Sequence, residues 1–225
     1  QFIKDIKGTI MTHQMQQFRK EYSEIGIDFG DMAADPFTQF DNWFSAAAEL
    51  NMIEPNGMTL STVDEDGRPS GRIVLLKDWD SRGFVFYTNY ESRKGHNLVG
   101  NQFAALTFWW REQERQVRIE GKIEKTSNKE SDDYYDSRPR ESRLGAWASP
   151  QSQQVEGRHT LEARLSEITQ RFPDKQSLRR PDFWGGYRLT PDMIEFWQGR
   201  KSRLHDRMVY KLQSDQSWHL VRLAP

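Results

Sequence analysis

The chain contains no cysteine. Disulfides, thiolate nucleophiles and cysteine-based metal sites are thereby excluded. It also lacks an excess of either charge: 32 lysines and arginines stand against 33 acids, a net charge of -1. That balance argues against a general nucleic-acid or membrane-surface binder, so any anion site must come from local clusters. No apolar run approaches the ~20 residues of a membrane-spanning helix. The longest, Phe103 to Trp110, has the length of a strand. GxGxxG, a Walker loop, HExxH and GxSxG are all missing, and so is any Asn-x-Ser/Thr sequon. The histidines, His13, His96, His159, His205 and His219, have no metal-ligand spacing. Neither nucleic acid nor membrane is an expected partner. A soluble cytoplasmic protein is expected, with an organelle address left open because Gln1 is no guide to targeting.

What is present is a series of short elements. A helical run is predicted around Met15 to Tyr22, and residues 1–30 read as a flexible N-terminal segment. Asp35-Pro36 opens a helix whose Phe37, Phe40, Phe44, Ala47 and Leu50 form one apolar stripe. Strand-like runs follow at Met58–Val63, Arg72–Lys77, Gly83–Thr88, Phe103–Trp110 and Gln116–Lys125, with a short helix capped by Ser92 and reaching Val99. Ser127 and Glu130 fit a capping box, for a helix running to about Asp136 and stopped by Pro139. A helix over Thr160–Phe172 and four strands, Gly186–Leu189, Met193–Trp197, Arg207–Leu212 and Trp218–Arg222, close the chain. Nine short strands with few helices predict a mainly β fold, a barrel with helical decorations, in one domain over 31–225.

Cations recur in this frame. Arg203, His205 and Arg207 alternate, so one extended strand would place all three on one face, where they repel unless an anion lies between them. Strict alternation puts Arg72 and Lys77 on opposite faces, so one ligand meets both only at a bend; alone the run reads as a buried strand with charged ends. Arg93 and Lys94 follow Ser92 at a helix start, where cations are unfavourable unless an anion such as phosphate sits among them; a solvated basic turn fits equally. Gln116, Arg118 and Glu120 share a strand face, with an Arg118–Glu120 pair as the plain reading. Tyr134, Arg138 and Ser142 recur every four residues and would offer a phosphate three donors if helical geometry survives Pro139; otherwise they mark a solvated helix end. Trp197 and the aromatic run 108–110 could cover flat rings. Two phosphates and two flat heterocycles would account for all of these clusters.

The stretches RIVLLK (72–77), FYTN (86–89), SRKGH (92–96), RQVRIEG (115–121), YYDSRPRESRLGAWAS (134–149), FWGGYRL (183–189), IEFWQG (194–199), RLHDR (203–207) and RLAP (222–225) together resemble the pyridoxine/pyridoxamine 5'-phosphate oxidase family. The resemblance runs from about Arg19 to Pro225. It implies an FMN-binding split β-barrel working as a homodimer, with two subunits building each site. Carried over by position, it implies that Arg72, Lys77, Tyr87, Thr88, Arg93, Lys94, Gln116, Gln151, Ser152, Trp197 and Arg207 contact FMN. Lys77, Tyr134, Arg138 and Ser142 would hold the substrate phosphate, with Arg203, Leu204 and His205 over the substrate ring, Arg203 and His205 being catalytic. Arg19, Lys20, Glu21 and Tyr22 match a segment that closes over the site. Pro150 stands where the family pattern has a basic residue, and it lacks an N–H beside Gln151 and Ser152. The implied reaction oxidises C4' of pyridoxine 5'-phosphate or pyridoxamine 5'-phosphate to the aldehyde, with O2 as final acceptor and H2O2 released. Two other readings fit the same cations: a split-barrel NAD(P)H-dependent flavin reductase, and a non-catalytic binder of pyridoxal phosphate or FMN.

Overall fold

The computed structural model describes residues 21–173 and 177–225. The predicted run at Met15–Tyr22, and Arg19 and Lys20 with it, lies almost wholly outside them. Asp35 caps helix α1 (Pro36–Glu49): its Oδ1 accepts from the N–H groups of Phe37 and Thr38, each at 3.0 Å. Pro36 at the first turn has no N–H to lose. The stripe buries Phe40 and Ala47 together with Trp43, while Leu50 lies outside it, 52% exposed.

Nine antiparallel strands form one curled sheet: β1 (Gly57–Val63), β2 (Pro69–Leu75), β3 (Asp78–Asp80), β4 (Gly83–Asn89), β5 (Phe103–Trp110), β6 (Arg115–Lys125), β7 (Trp184–Gln198), β8 (Asp206–Leu212) and β9 (Trp218–Leu223). The order is β2-β1-β5-β6-β7-β4-β3, with β8 pairing to β7 and β9. Helices α2 (Arg93–Gly100), α3 (Asn128–Ser137), α4 (Arg140–Ala148) and α5 (Arg158–Arg171) decorate it. This is the mainly β, split-barrel architecture expected.

Two strand predictions merge. The runs 186–189 and 193–197 are halves of one fifteen-residue β7, which pairs with β4 over its first half and β8 over its second. The gap between the two runs, Thr190-Pro191-Asp192, lies at a bulge where the register shifts opposite Glu120 and Gly121, the kind of place where a proline is tolerated within a sheet. Gly121 is obligatory there: a Cβ would sit 2.1 Å from the Thr190 carbonyl oxygen. Conversely, β3 has no counterpart among the predicted runs, because three residues carry too little periodicity to read.

The inner face of the sheet packs Leu60, Leu106, Phe108, Ile119, Ile194 and Phe196 into the core. α1 closes the barrel by driving Phe40 between Phe84, Phe108 and Trp79, with ring centroids at 4.9, 5.3 and 5.4 Å. Among the described residues no helix is long and apolar enough to cross a membrane. Phe40→Ala should lower unfolding stability by about 3–5 kcal/mol, read as a lower urea midpoint at unchanged slope, because the cavity it leaves has rigid walls.

Candidate functional site: a cationic cleft and an aromatic row

A cleft of about 530 Å³ opens where β2 ends, β4 ends and the α3–α4 elbow crosses them. Arg72, Lys77, Tyr87, Thr88, Lys94 and Gln151 line it, with Tyr134, Arg138 and Ser142 across from them. The structure thus brings together three of the clusters marked in the sequence. Arg72 and Lys77 meet because β2 stops at Leu75 and the chain turns before β3, which breaks the alternation.

Its cations have no acid partner inside the cleft. Arg72 donates to the Leu60 carbonyl at 2.9 Å, Thr62 Oγ1 at 2.8 Å and Ser70 Oγ at 2.5 Å. Lys94 Nζ donates to Gln151 Oε1 at 2.7 Å, Thr88 Oγ1 at 3.1 Å and Ser92 Oγ at 3.3 Å. Every one of these acceptors is neutral. Burial, helped by the charge of Arg72, depresses the Lys94 ammonium to about 8. Burial and the neighbouring Arg93 likewise lower Arg72. Such a cluster favours an incoming anion.

Helical geometry does not survive Pro139 unbroken. α3 ends at Ser137, as the stop at Pro139 predicts, Arg138 is extended (φ -78°, ψ 147°), and a second helix, α4, which has no counterpart among the predicted elements, starts at Arg140. The elbow still turns Tyr134, Arg138 and Ser142 into the cleft. Tyr134 stacks on Tyr87 at 3.9 Å, and Tyr87 stacks on Trp184 at 5.7 Å. The Arg138 guanidinium lies 4.6 Å above Trp184, and its buried Nη1 has no hydrogen-bond partner. A buried guanidinium N–H without an acceptor is costly and fits a missing anionic oxygen. Burial, with Glu130 adding to it, pushes the Tyr87 phenol up to about 12, so Tyr87 stays a donor, here to the Glu130 carbonyl at 3.3 Å. Trp184 was not singled out as a site residue; only the quoted FWGGYRL pointed to it.

The remaining residues gather elsewhere. Trp109, Gln116, Trp197 and Arg207 stand opposite one another on β5, β6, β7 and β8, one row across the sheet. Trp109 and Trp197 are 6.0 Å apart, whereas Phe108 and Trp110 are buried in the core and cover no ligand. His205 packs on Trp197 at 4.6 Å, and Tyr22 meets both rings edge-on at 5.7 and 5.4 Å. Tyr22 belongs to a stretch tied down at several points: Ser23 N–H to Glu114 Oε2 at 2.7 Å, Lys201 to Glu24 at 2.6 Å and Ile27 N–H to Asp206 Oδ2 at 3.1 Å. Glu21 is exposed. Trp197 lies eleven residues beyond Gly186, the partner of Tyr87, along β7. At ~3.3 Å per residue that is a contour of roughly 36 Å, so cleft and row occupy opposite ends of the strand.

The RLHDR segment departs from expectation. Strand β8 begins only at Asp206, and Lys201–Arg203 form a tight turn in which Ser202 (φ 57°) and Arg203 (φ 59°) are both left-handed. Arg203 therefore does not share a strand face with His205 and Arg207; it is exposed, as is Leu204. Adjacent left-handed residues other than glycine mark a strained turn of the kind found at binding sites. The repulsion anticipated within the segment is relieved internally. Arg207 grips buried Glu195 through Nε at 3.0 Å and Nη2 at 2.8 Å, and Asp206 takes Arg222 at 2.7 Å and Arg200 at 3.3 Å. Glu195, a partner with no part in the expected site, also lies 3.5 Å from Arg118. Arg118 pairs with Glu120, as its plain reading held. His205 is lowered by burial and by Arg203, with Asp206 opposing. Its Nδ1 accepts the Arg200 N–H at 3.0 Å, so the neutral ring carries its proton on Nε2 and offers a donor there.

Two expected contacts belong to neither group, although Arg93 lies close enough to Arg72 for its charge to lower that guanidinium. Arg93 is exposed at the start of α2, and Ser152 is an exposed left-handed residue (φ 71°). Gln151, by contrast, is held in the cleft by Lys94 even though it follows Pro150. Among the described residues no group of three His, Asp or Glu could hold a metal ion.

Comparison with known proteins identifies the family. The pyridoxamine 5'-phosphate oxidase family model matches residues 45–172, and that of the pyridoxine 5'-phosphate oxidase C-terminal dimerisation region matches 184–225. A pyridoxine/pyridoxamine 5'-phosphate oxidase of Burkholderia lata is 56% identical over 213 residues, 94% of this chain and 99% of its own. One from Burkholderia mallei is 57% identical over the same span. Among solved structures, PhzG from Burkholderia lata in complex with tetrahydrophenazine-1-carboxylic acid superposes with a TM-score of 0.83 at 30% identity, covering 92% of this chain and 100% of that one. A pyridoxamine 5'-phosphate oxidase-related FMN-binding protein from Nostoc punctiforme shares the fold, with a TM-score of 0.68 at 16% identity over 86% of this chain. With two family models spanning most of its length and relatives more than half identical to it, the chain belongs to the pyridoxamine 5'-phosphate oxidase family.

Proposed function

We propose that the protein is an FMN-dependent oxidase that converts pyridoxine 5'-phosphate or pyridoxamine 5'-phosphate to pyridoxal 5'-phosphate. The observation that carries this reading is a pair of cationic features in one cleft with no counter-charge: Lys94 with Arg72, hydrogen-bonded to neutral oxygens alone, and Arg138 with an orphan Nη1. Two such features suit two phosphorylated aromatic molecules. Arg72, Lys94, Thr88 and Gln151 would hold the FMN phosphate; Lys77, Tyr134, Arg138 and Ser142 would hold the substrate's.

Bound FMN supplies the two-electron acceptor for the hydride leaving C4', and dioxygen takes the electrons on to hydrogen peroxide. The chain's own residues bind and orient. Arg203, freed from the strand by its left-handed turn, would lay its guanidinium plane on the pyridine ring. His205, with Nδ1 occupied, would donate from Nε2 to the C4' substituent; in that tautomer it cannot also take up the proton at Nε2. Gln116, Trp197 and Arg207 would flank the flavin ring.

A homodimer follows from the same geometry, since cleft and row lie at opposite ends of β7 and would meet around one ligand pair only across two copies. The exposed Ile73 and Trp109, 67% and 48% exposed, are suited to that contact. The likeness to PhzG favours a second reading, a flat polycyclic carboxylate as substrate. Against it stands the substrate side of the cleft, whose Lys77, Arg138 and two hydroxyl donors exceed what one carboxylate requires.

In anaerobic mixing of the FMN-loaded protein, pyridoxine 5'-phosphate should bleach the flavin absorption. Bleaching by NADPH alone would indicate a reductase, and bleaching by neither a binder. A second outcome concerns pH. Binding a phosphate raises the Lys94 pKa above its ligand-free value of about 8, so FMN affinity should fall as pH rises beyond about 8. Fluorescence titration across pH 7–10 reads this, and Lys94→Met should flatten that limb.

A further inference from the structure

We propose that Arg188, in the first half of β7, is a positioning residue for the anion-binding elbow at Tyr134 and Arg138, acting through the first turn of α3. The inference rests on the reading that this elbow holds the substrate's phosphate.

The Arg188 side chain is only 6% exposed and lines neither the cleft nor the row. It bridges two carboxylates from different elements: Nη1 to Asp80 Oδ1 of β3 at 3.1 Å, and Nη2 to Glu130 Oε1 of α3 at 2.8 Å. Glu130 Oε1 also lies 3.3 Å from the exposed Arg82 Nη2, and the residue has two further tasks. Its Oε2 completes the α3 capping box, accepting from the Ser127 N–H at 3.0 Å and the Ser127 hydroxyl at 2.8 Å. Its backbone carbonyl receives the Tyr87 hydroxyl at 3.3 Å. Hydrogen bonds from Ser127, then Arg188, hold the Glu130 carboxyl below the usual carboxylate range, so it stays charged and paired.

One turn further along the same helix, Tyr134 stacks on Tyr87, and at its end Arg138 stacks on Trp184. Arg188 therefore joins the barrel wall to the residue that sets where α3 starts. α3 has further anchors: Ser131 accepts the Gly186 N–H at 3.1 Å, and Arg180 reaches Asp132 Oδ1 at 2.7 Å and Asn128 Oδ1 at 3.2 Å. The forked Arg188 guanidinium, held at both tips, adds the tie that runs from β3 to the capping residue Glu130 itself. Shifting the helix start slides Tyr134 over Tyr87 and swings Arg138 off Trp184, and it leaves Arg72 and Lys94 on β2 and α2 where they are.

A merely stabilising ion pair and a positioning one differ in what they move. Full-length, FMN-loaded Arg188→Met and Arg188→Lys proteins are titrated with inorganic phosphate, read by intrinsic tryptophan fluorescence, and assayed with pyridoxine 5'-phosphate. Arg188→Met should raise both the phosphate Kd and the substrate KM about tenfold or more, as misplacement of a binding group does. Its kcat and FMN Kd should stay within about twofold, and Arg188→Lys should recover part of the loss. If Arg188→Met does not fold, Glu130→Gln replaces it: glutamine still caps Ser127 but gives up the ion pair, and should show the same split. A phosphate Kd within about twofold of wild type in the variant that folds overturns the inference, whatever happens to its melting temperature. A raised phosphate Kd in a protein that fails to oxidise pyridoxine 5'-phosphate supports the role of Arg188 and sinks the substrate reading alone.

Discussion

Positive charge without a counter-charge is the constraint around which this molecule is organised. In a chain of net charge -1, Arg72 and Lys94 share a cleft with no carboxylate, and Arg138 keeps a donor unused beside them. Like charges that close repel, and their partial burial adds desolvation. The curled sheet tolerates this because its rigidity comes from elsewhere: the aromatic plug of α1 and the inner faces of β1, β5, β6 and β7. The ends of β2 and β4, the start of α2 and the α3–α4 elbow are thereby free to be placed for binding.

The other end of β7 solves the same problem differently. Arg207, Arg222 and Arg200 are each answered by a buried acid, Glu195 or Asp206. That end is closed electrostatically, and what it presents is shape and ring surface: Trp197, Trp109, His205 and the edge of Tyr22. One end suits phosphates and the other suits flat rings, which is the division of labour the proposed dimer would exploit.

Much of this was legible in the residues. The Asp35 cap, the Ser127–Glu130 capping box and the period-two runs each follow from local rules, and the structure has them. Misreadings arose where long-range contacts override local signals. The runs 186–189 and 193–197 read as separate strands and are one, because β6 continues past the bulge at Pro191; the helix stopped before Pro139 ends at Ser137 as read, but the second helix that starts at Arg140 has no counterpart among the predicted elements. Alternation placed Arg203 on a strand face, but the turn at Ser202 and Arg203 is invisible to a pattern of period two. At the candidate site, each cationic cluster was ambiguous alone. Their convergence depends on pairings such as β4 with β7, more than ninety residues apart, which no local window contains.

If uncompensated charge is what the cleft offers, the phosphate should dominate cofactor recognition. Thermal melts of the cofactor-free protein with FMN and with riboflavin, which has the same ring system and no phosphate, test this most directly. FMN is expected to raise the melting temperature by several degrees at concentrations where riboflavin barely moves it. Equal shifts from both would mean that the ring alone is recognised, and the cationic cleft would lose the role given to it here.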